Sequence, residues 1–326
     1  MGILSVRFRM CYLLLVIAIA AIAFACSQNT PDAMISSKSS LENCRIVKHE
    51  MGETCIPLKP QRLIVTDAAI LDAVVALGFQ PTATAESNAM GSLTRHLVRA
   101  NKLKEPISIG LESLLNFEKI VQLQPDLILG FSIYSQDYKI LSRIAPTVSL
   151  PYSHRTWKDS FQKVGTILGK SEEAKQILLQ YQKRVTTLRS QIEQKLKKTV
   201  VSVSRFYSGW QTTEFQTKFS FSGSVLEDVG LTRPAVQLQL ANPNQQYVEV
   251  SLEQLDLLDA DVMFVALDPG SEESLKRYQT SKLWQLLDVV KNNRVYTVDS
   301  AYWISGNVLS ANAILDDLYR YLLDGE

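Results

Sequence analysis

Histidine is scarce: only His49, His96 and His154 occur in 326 residues, far apart in the chain. A dedicated zinc or manganese site built from clustered His, Asp and Glu is therefore not expected. The common catalytic signatures are missing as well. There is no Gly-x-Ser-x-Gly elbow, Gly-Lys phosphate loop, His-Glu-x-x-His helix or Gly-x-Gly-x-x-Gly turn. Ser153-His154 has no identifiable orienting acid, so a serine hydrolase is not expected and the chain is read as a non-enzyme. An excess of one charge sign is also absent. Thirty-four Lys and Arg balance 33 Asp and Glu, a net charge of +1, so nothing argues for nucleic acid. After residue 25 no apolar run approaches the length needed to cross a bilayer. Cysteine is limited to four positions, 11, 26, 44 and 55.

What is present starts at the N-terminus. Arg7 and Arg9 precede an uncharged apolar run over 13–25, short for a membrane span and suited to a signal-peptide core. The run ends Ala23-Phe24-Ala25-Cys26, which resembles a bacterial lipobox apart from the bulk of Phe24. That resemblance implies removal of 1–25 as a signal peptide and lipidation of Cys26. Polar, small residues over 26–43 cannot bury a core and read as a flexible tether. An ordinary secretory signal with an incidental cysteine is the alternative. Cys11 lies in the signal, which leaves Cys44 and Cys55 as an exported pair expected to form a disulfide. Residues 47–54 between them read as strand, turn at Met51-Gly52, and returning strand, a hairpin that brings the sulfurs together. Metal binding by the two thiols with His49 would lack a fourth ligand.

The apolar content of 46% supports a substantial core. β-rich runs alternate with helical patterns, which predicts an α/β fold with parallel sheets. Expected strands fall at 62–67, 82–85, 126–131 and 147–150, then at 200–206, 261–267 and 294–299. Between the two sets, Ala174, Ile177, Leu178, Tyr181, Val185, Leu188, Ile192 and Leu196 recur at spacings of three and four. They predict one long amphipathic helix over 171–197, with Ser171 as N-cap and Glu172 and Glu173 in its first turn. Residues 117–129 and 252–264 match without a gap, sharing the order apolar, Glu, apolar, Leu, Asp, apolar strand. This favours a duplicated lobe.

Three stretches then become specific. The hairpin continues into Ile56-Pro57-Leu58-Lys59-Pro60-Gln61-Arg62. Asn116-Phe117-Glu118-Lys119-Ile120 runs on to Leu123-Gln124-Pro125-Asp126-Leu127-Ile128-Leu129. Phe221-Ser222-Gly223-Ser224-Val225-Leu226-Glu227-Asp228-Val229-Gly230-Leu231 follows. Their order and spacing, together with Ala311-Asn312-Ala313-Ile314-Leu315-Asp316-Asp317-Leu318, resemble the periplasmic siderophore and cobalamin binding family of ABC importers from about residue 44 onward. The resemblance implies a bilobal substrate-binding protein: two Rossmann-like α/β lobes joined by a single long α-helix, with limited hinge motion. The corresponding organisation is signal peptide 1–25, tether 26–43, N-terminal lobe 44–169 with the opening hairpin 44–57, linking helix 170–198 and C-terminal lobe 199–326. The expected cargo is a ferric siderophore, with cobalamin, haem or a free metal as alternatives. The iron arrives already coordinated, so neither cofactor nor protein metal ligand is implied. Partners would be an ABC permease with its ATPase subunits. The location would be the periplasmic side of the cell envelope, lipid-anchored, and the protein a monomer.

Such a cargo calls for aromatic walls and arginines at the C-terminal ends of strands. Arg205, Tyr207 and Trp210 follow one expected strand, and Tyr302 and Trp303 follow another. Arg95 (beside His96), Tyr134 (with Tyr138) and Trp157 (with Arg155) occupy similar places in the first half. Each could equally be a core aromatic or a sheet cap. In the family one exposed glutamate per lobe meets permease arginines. By motif position these are Glu118 and Glu227, with Glu253 as the repeat-equivalent of Glu118.

Overall fold

The computed structural model describes residues 44–87, 91–196, 198–209 and 212–324. The expected signal peptide, tether and Cys26 lie outside the described residues. Strands β1 (Cys44–His49) and β2 (Gly52–Pro57) form a two-stranded sheet. Cys44 and Cys55 are disulfide-bonded. The turn falls at Glu50-Met51, and Gly52 takes a φ of +127°, where a side chain would be strained. His49 shares a 2.8 Å hydrogen bond with Thr54 Oγ1. The disulfide takes up both thiols, so they are not available as metal ligands beside His49.

The first large sheet has the order β6-β5-β4-β3-β7-β8. It comprises β3 (Leu63–Val65), β4 (Ala83–Glu86), β5 (Ile107–Leu111), β6 (Leu114–Leu115), β7 (Leu127–Phe131) and β8 (Thr147–Leu150). All neighbours are parallel except the edge pair β5–β6. Every residue of β3, β7 and β8 is buried, as continuous apolar runs covered on both faces require. Helices α1 (Ala68–Ala76), α2 (Leu93–Arg99), α3 (Phe117–Leu123) and α4 (Ser135–Ile144) connect the strands. Helix α5 (Trp157–Ile167) leads to the long helix α6 (Ser171–Leu196).

Helix α6 has 26 residues, a rod about 39 Å long at 1.5 Å per residue. Ala174, Tyr181, Val185, Leu188 and Ile192 form its buried stripe, and Ile177, Leu178 and Leu196 pack beside it. Ser171 is its first residue rather than its N-cap. The carbonyl of Lys170 accepts the first helical N–H, from Ala174, and the Ser171 hydroxyl turns to Thr166.

The second sheet has the order β11-β10-β9-β12-β13. It comprises β9 (Val201–Phe206), β10 (Thr213–Gln216), β11 (Tyr247–Val250), β12 (Val262–Leu267) and β13 (Val295–Asp299). β9, β12 and β13 are parallel, whereas β10 is antiparallel to both of its neighbours. Its helices are α7 (Phe221–Asp228), α8 (Ala235–Leu240), a 3-10 segment (Leu252–Leu258), α9 (Glu272–Gln279), α10 (Lys282–Leu286), α11 (Asp288–Lys291), α12 (Ser300–Trp303) and α13 (Val308–Tyr319).

The internal repeat corresponds to equivalent places. α3 leads into β7, and the 3-10 segment leads into β12. Each of these strands lies between the first and last parallel strands of its sheet, β3 and β8 or β9 and β13. The likeness stops on the other side of β3 and β9, where β4 is parallel and β10 antiparallel.

The two sheets share one core that continues along α6 and α13. Direct bonds also tie them. Asp72, fully buried on α1, accepts backbone N–H bonds from Asn307 (2.9 Å), Leu309 (2.8 Å) and Ser310 (2.8 Å) at the start of α13. The Tyr152 hydroxyl donates to Gly306 O at 2.7 Å. A side chain at Gly91 would collide with Asp299 Oδ1 at 2.5 Å, so glycine lets the two halves approach there.

Candidate functional site

In parallel α/β sheets, ligands bind beyond the carboxyl ends of the strands. In the first lobe, the ends of β3, β5 and β7 enclose a cavity of about 440 Å³ lined by Asp67, Glu112, Phe131, Tyr134, Asp137 and His154 among others. Asp67 lies two residues beyond β3 and caps α1. Its Oδ1 accepts from Ile70 N (2.9 Å), and its Oδ2 from Phe131 N (2.8 Å) and Thr66 Oγ1 (3.4 Å). Burial, reinforced by the nearby Glu112 charge, pushes its pKa up to about 7. Glu112 accepts from Ala68 N at 2.8 Å, the first N–H of the same helix, and burial raises its pKa too. Thr66 can sit beside β7 only because residue 130 is glycine: a Cβ there would lie 2.0 Å from Thr66 Oγ1.

An aromatic series runs along one wall. Phe131 stacks on Tyr152 with centroids 4.8 Å apart, and Tyr152 meets His154 edge-on at 5.2 Å. Burial lowers the His154 pKa to about 4, so its ring is neutral at pH 7, and its Nδ1 is buried without a hydrogen-bond partner. Tyr134 stands at the rim, 68% exposed.

The second lobe places Arg205 near the end of β9, but its guanidinium is occupied. Nε and Nη2 bind the two Asp268 oxygens at 3.1 and 2.8 Å, Nη1 lies 3.9 Å from Glu214, and the face covers the Tyr207 ring at 4.5 Å. Glu214 is fully buried with Oε2 unpartnered, and burial pushes its pKa up to about 8. Arg205 therefore covers Tyr207 and pairs with Asp268 through its Nε–Nη2 edge, so that edge is not open to a ligand carboxylate. Trp210 lies outside the described residues.

Two expected wall residues are core residues instead. Trp157 is fully buried, edge-on to Tyr181 at 5.2 Å, with Nε1 donating to Ser224 Oγ at 3.2 Å. Trp303 is fully buried, stacked on Phe264 at 4.7 Å, with Nε1 donating to Asp317 at 2.7 Å. A large indole satisfies its single donor and gains most from burial, which is what each position allows. Tyr302 is half-buried. Its hydroxyl donates to the same Asp317 oxygen at 3.0 Å and its ring packs on His96 at 4.7 Å, between α2 and α12. Arg95 is exposed on α2.

Glu118 is exposed in the first turn of α3, whose N-cap Asn116 accepts from Lys119 N. Glu227, 61% exposed near the end of α7, lies 3.6 Å from Arg155. Glu253 is exposed at the start of the 3-10 segment. Asp67, Glu112, Asp268 and Glu214 escaped the sequence reading, and His154 was considered there only as a hydrolase or metal residue. Asp67 alone had a usable signal, an acid between an apolar strand and an apolar helix, where an N-cap sits at a strand end.

Fold and site together define a ligand-binding protein of two α/β lobes. The chain belongs to the periplasmic binding protein family, whose model matches residues 63–302. It is 30% identical over 321 residues to a probable siderophore-binding lipoprotein, YfiY, of Bacillus subtilis, covering 95% of this chain and 97% of the relative. It is 30% identical to the Fe(3+) dicitrate-binding periplasmic protein FecB of Escherichia coli, covering 79% and 83%. The Staphylococcus aureus SirA structure complexed with staphyloferrin B superposes with a TM-score of 0.74 at 29% identity, covering 85% of this chain and 98% of SirA.

Proposed function

We propose that this protein is the substrate-binding lipoprotein of an ABC-type iron importer, taking a ferric siderophore between its lobes and delivering it to a membrane permease. The observation that carries the proposal is likeness over 79–95% of the chain to proteins named for siderophore or ferric dicitrate binding, YfiY and FecB, and to SirA complexed with staphyloferrin B. The role is capture and release without turnover, and no cofactor is needed because the iron comes chelated. The strand-end cavity of the first lobe forms one wall of the site. Tyr134, Tyr207 and Trp210 supply aromatic surface, Tyr302 and Arg95 flank it, and Arg205 acts by holding Tyr207.

Glu118 and Glu227 meet permease arginines, one per lobe. In the free protein Arg155 occupies Glu227, an exposed pair worth little and easily exchanged for a bidentate partner. Cys26 carries the lipid that holds the monomer at the envelope, and the permease works with its ATPase subunits. The test is tryptophan quenching of purified protein titrated with ferric citrate, a ferric hydroxamate, a ferric catecholate and cyanocobalamin. Saturation at one equivalent by a ferric chelate supports the proposal. Saturation by cyanocobalamin alone removes it.

A further inference from the structure

The cavity at the ends of β3, β5 and β7 has an unusual charge balance for a protein with 34 Lys and Arg against 33 Asp and Glu. Three carboxylates line it, from Asp67, Glu112 and Asp137, and no Lys or Arg does among the described residues. The one further titratable nitrogen base, His154, is kept neutral by burial and leaves its buried Nδ1 without a partner. In the second lobe, Arg205, near the end of β9, already has its Nε–Nη2 edge bound to Asp268. Arg155 lies between Glu227 and the Phe219 ring. A carboxylate entering the cavity would lie beside three acids in a partly desolvated site and find no cation among the lining residues. An ammonium group would find carboxylates whose own burial is relieved by its approach.

From these contacts we infer that the first-lobe cavity receives a protonated amine carried by the ferric chelate, so the preferred cargo is a cationic or neutral hydroxamate complex with a free amine rather than a polycarboxylate. The inference rests on the iron-chelate function proposed above and names its substrate class. The cavity of about 440 Å³ has room for one arm of a chelate, with the iron centre outside it toward Tyr134 and Tyr207.

The experiment compares two ligands that differ at one group: ferric desferrioxamine B, with its terminal ammonium, and its N-acetyl derivative. Ferric citrate and a ferric catecholate complete the panel, and wild type, Glu112→Gln, Asp137→Asn and the double variant are titrated. Gln at 112 keeps an acceptor for Ala68 N, so the helix start survives. Wild type should bind the amine complex at least tenfold more tightly than the acetylated one. Each single variant should shrink that ratio, and the double variant should bring it within about threefold of unity. Equal binding of the two complexes, tightest binding of ferric citrate, or a preference that survives the double variant would overturn the inference while leaving the iron-chelate function standing. Failure of every ferric chelate to bind would instead remove that function, and the inference with it.

Discussion

Asp72 offers the sharpest test of how the two lobes are held. Replacing it by alanine deprives three backbone N–H groups at the start of α13 of their acceptor, in a place with no access for water. Hydrogen bonds to a charged group contribute about 1.5–3 kcal/mol each. Three give a gross loss of roughly 5–9 kcal/mol by the same scale. The carboxylate is itself costly to bury, which is why its pKa is raised, and removing it recovers part of that loss. Three buried N–H groups left without an acceptor cost about 1–3 kcal/mol each, so a net destabilisation of about 3–5 kcal/mol results. At about 2–4 °C per kcal/mol for a chain near this size, Tm should fall by roughly 6–20 °C. Asp72→Asn keeps one acceptor oxygen and should lose about half as much. Urea unfolding monitored by circular dichroism gives the free energies directly. A loss below about 1 kcal/mol for Asp72→Ala would refute the idea that this carboxylate clamps the C-terminal helix to the first lobe.

Glu214 should make stability depend on pH. Its folded pKa of about 8 lies above the ordinary carboxylate value, so between the two values the folded state holds a proton that the unfolded chain releases. Stability therefore falls as pH rises from about 5 to 8, and Glu214→Gln should flatten part of that slope in urea titrations; an unchanged slope contradicts the assignment. Glu118→Ala with Glu227→Ala should abolish iron uptake in cells while leaving chelate affinity within about twofold, and lost affinity would move these residues into the ligand site. Cys44 and Cys55 should resist thiol alkylation until reductant is added, and prompt labelling of the native protein would contradict the disulfide.

The parts of the fold legible in the sequence were those with one dominant physical signal. The apolar runs of β7 and β12 and the stripe of α6 announce full burial or one-sided packing. β10 was missed because Thr213-Glu214-Phe215-Gln216 looks like a polar loop. In the folded chain its acid and amide are buried by pairing with Arg205 and with each other. β5 and β6 sit at a sheet edge with exposed residues, so their alternation is weak. Aromatic residues after a strand were poor guides to the site. Trp157 and Trp303 each find an indole acceptor on another helix, Ser224 67 positions away and Asp317 14 positions away, partnerships that the strand-end spacing does not reveal. Arg205 was correctly placed at a strand end, but its neutralisation depends on Asp268, 63 positions away.

The most direct measurement is the chemical identity of whatever occupies the protein when it is isolated from its own iron-starved cells. Denatured protein should release one equivalent of an organic iron(III) chelate, seen as ferric absorption and a matching mass. Release of a corrinoid or a haem, with no iron chelate at any occupancy, would contradict the account.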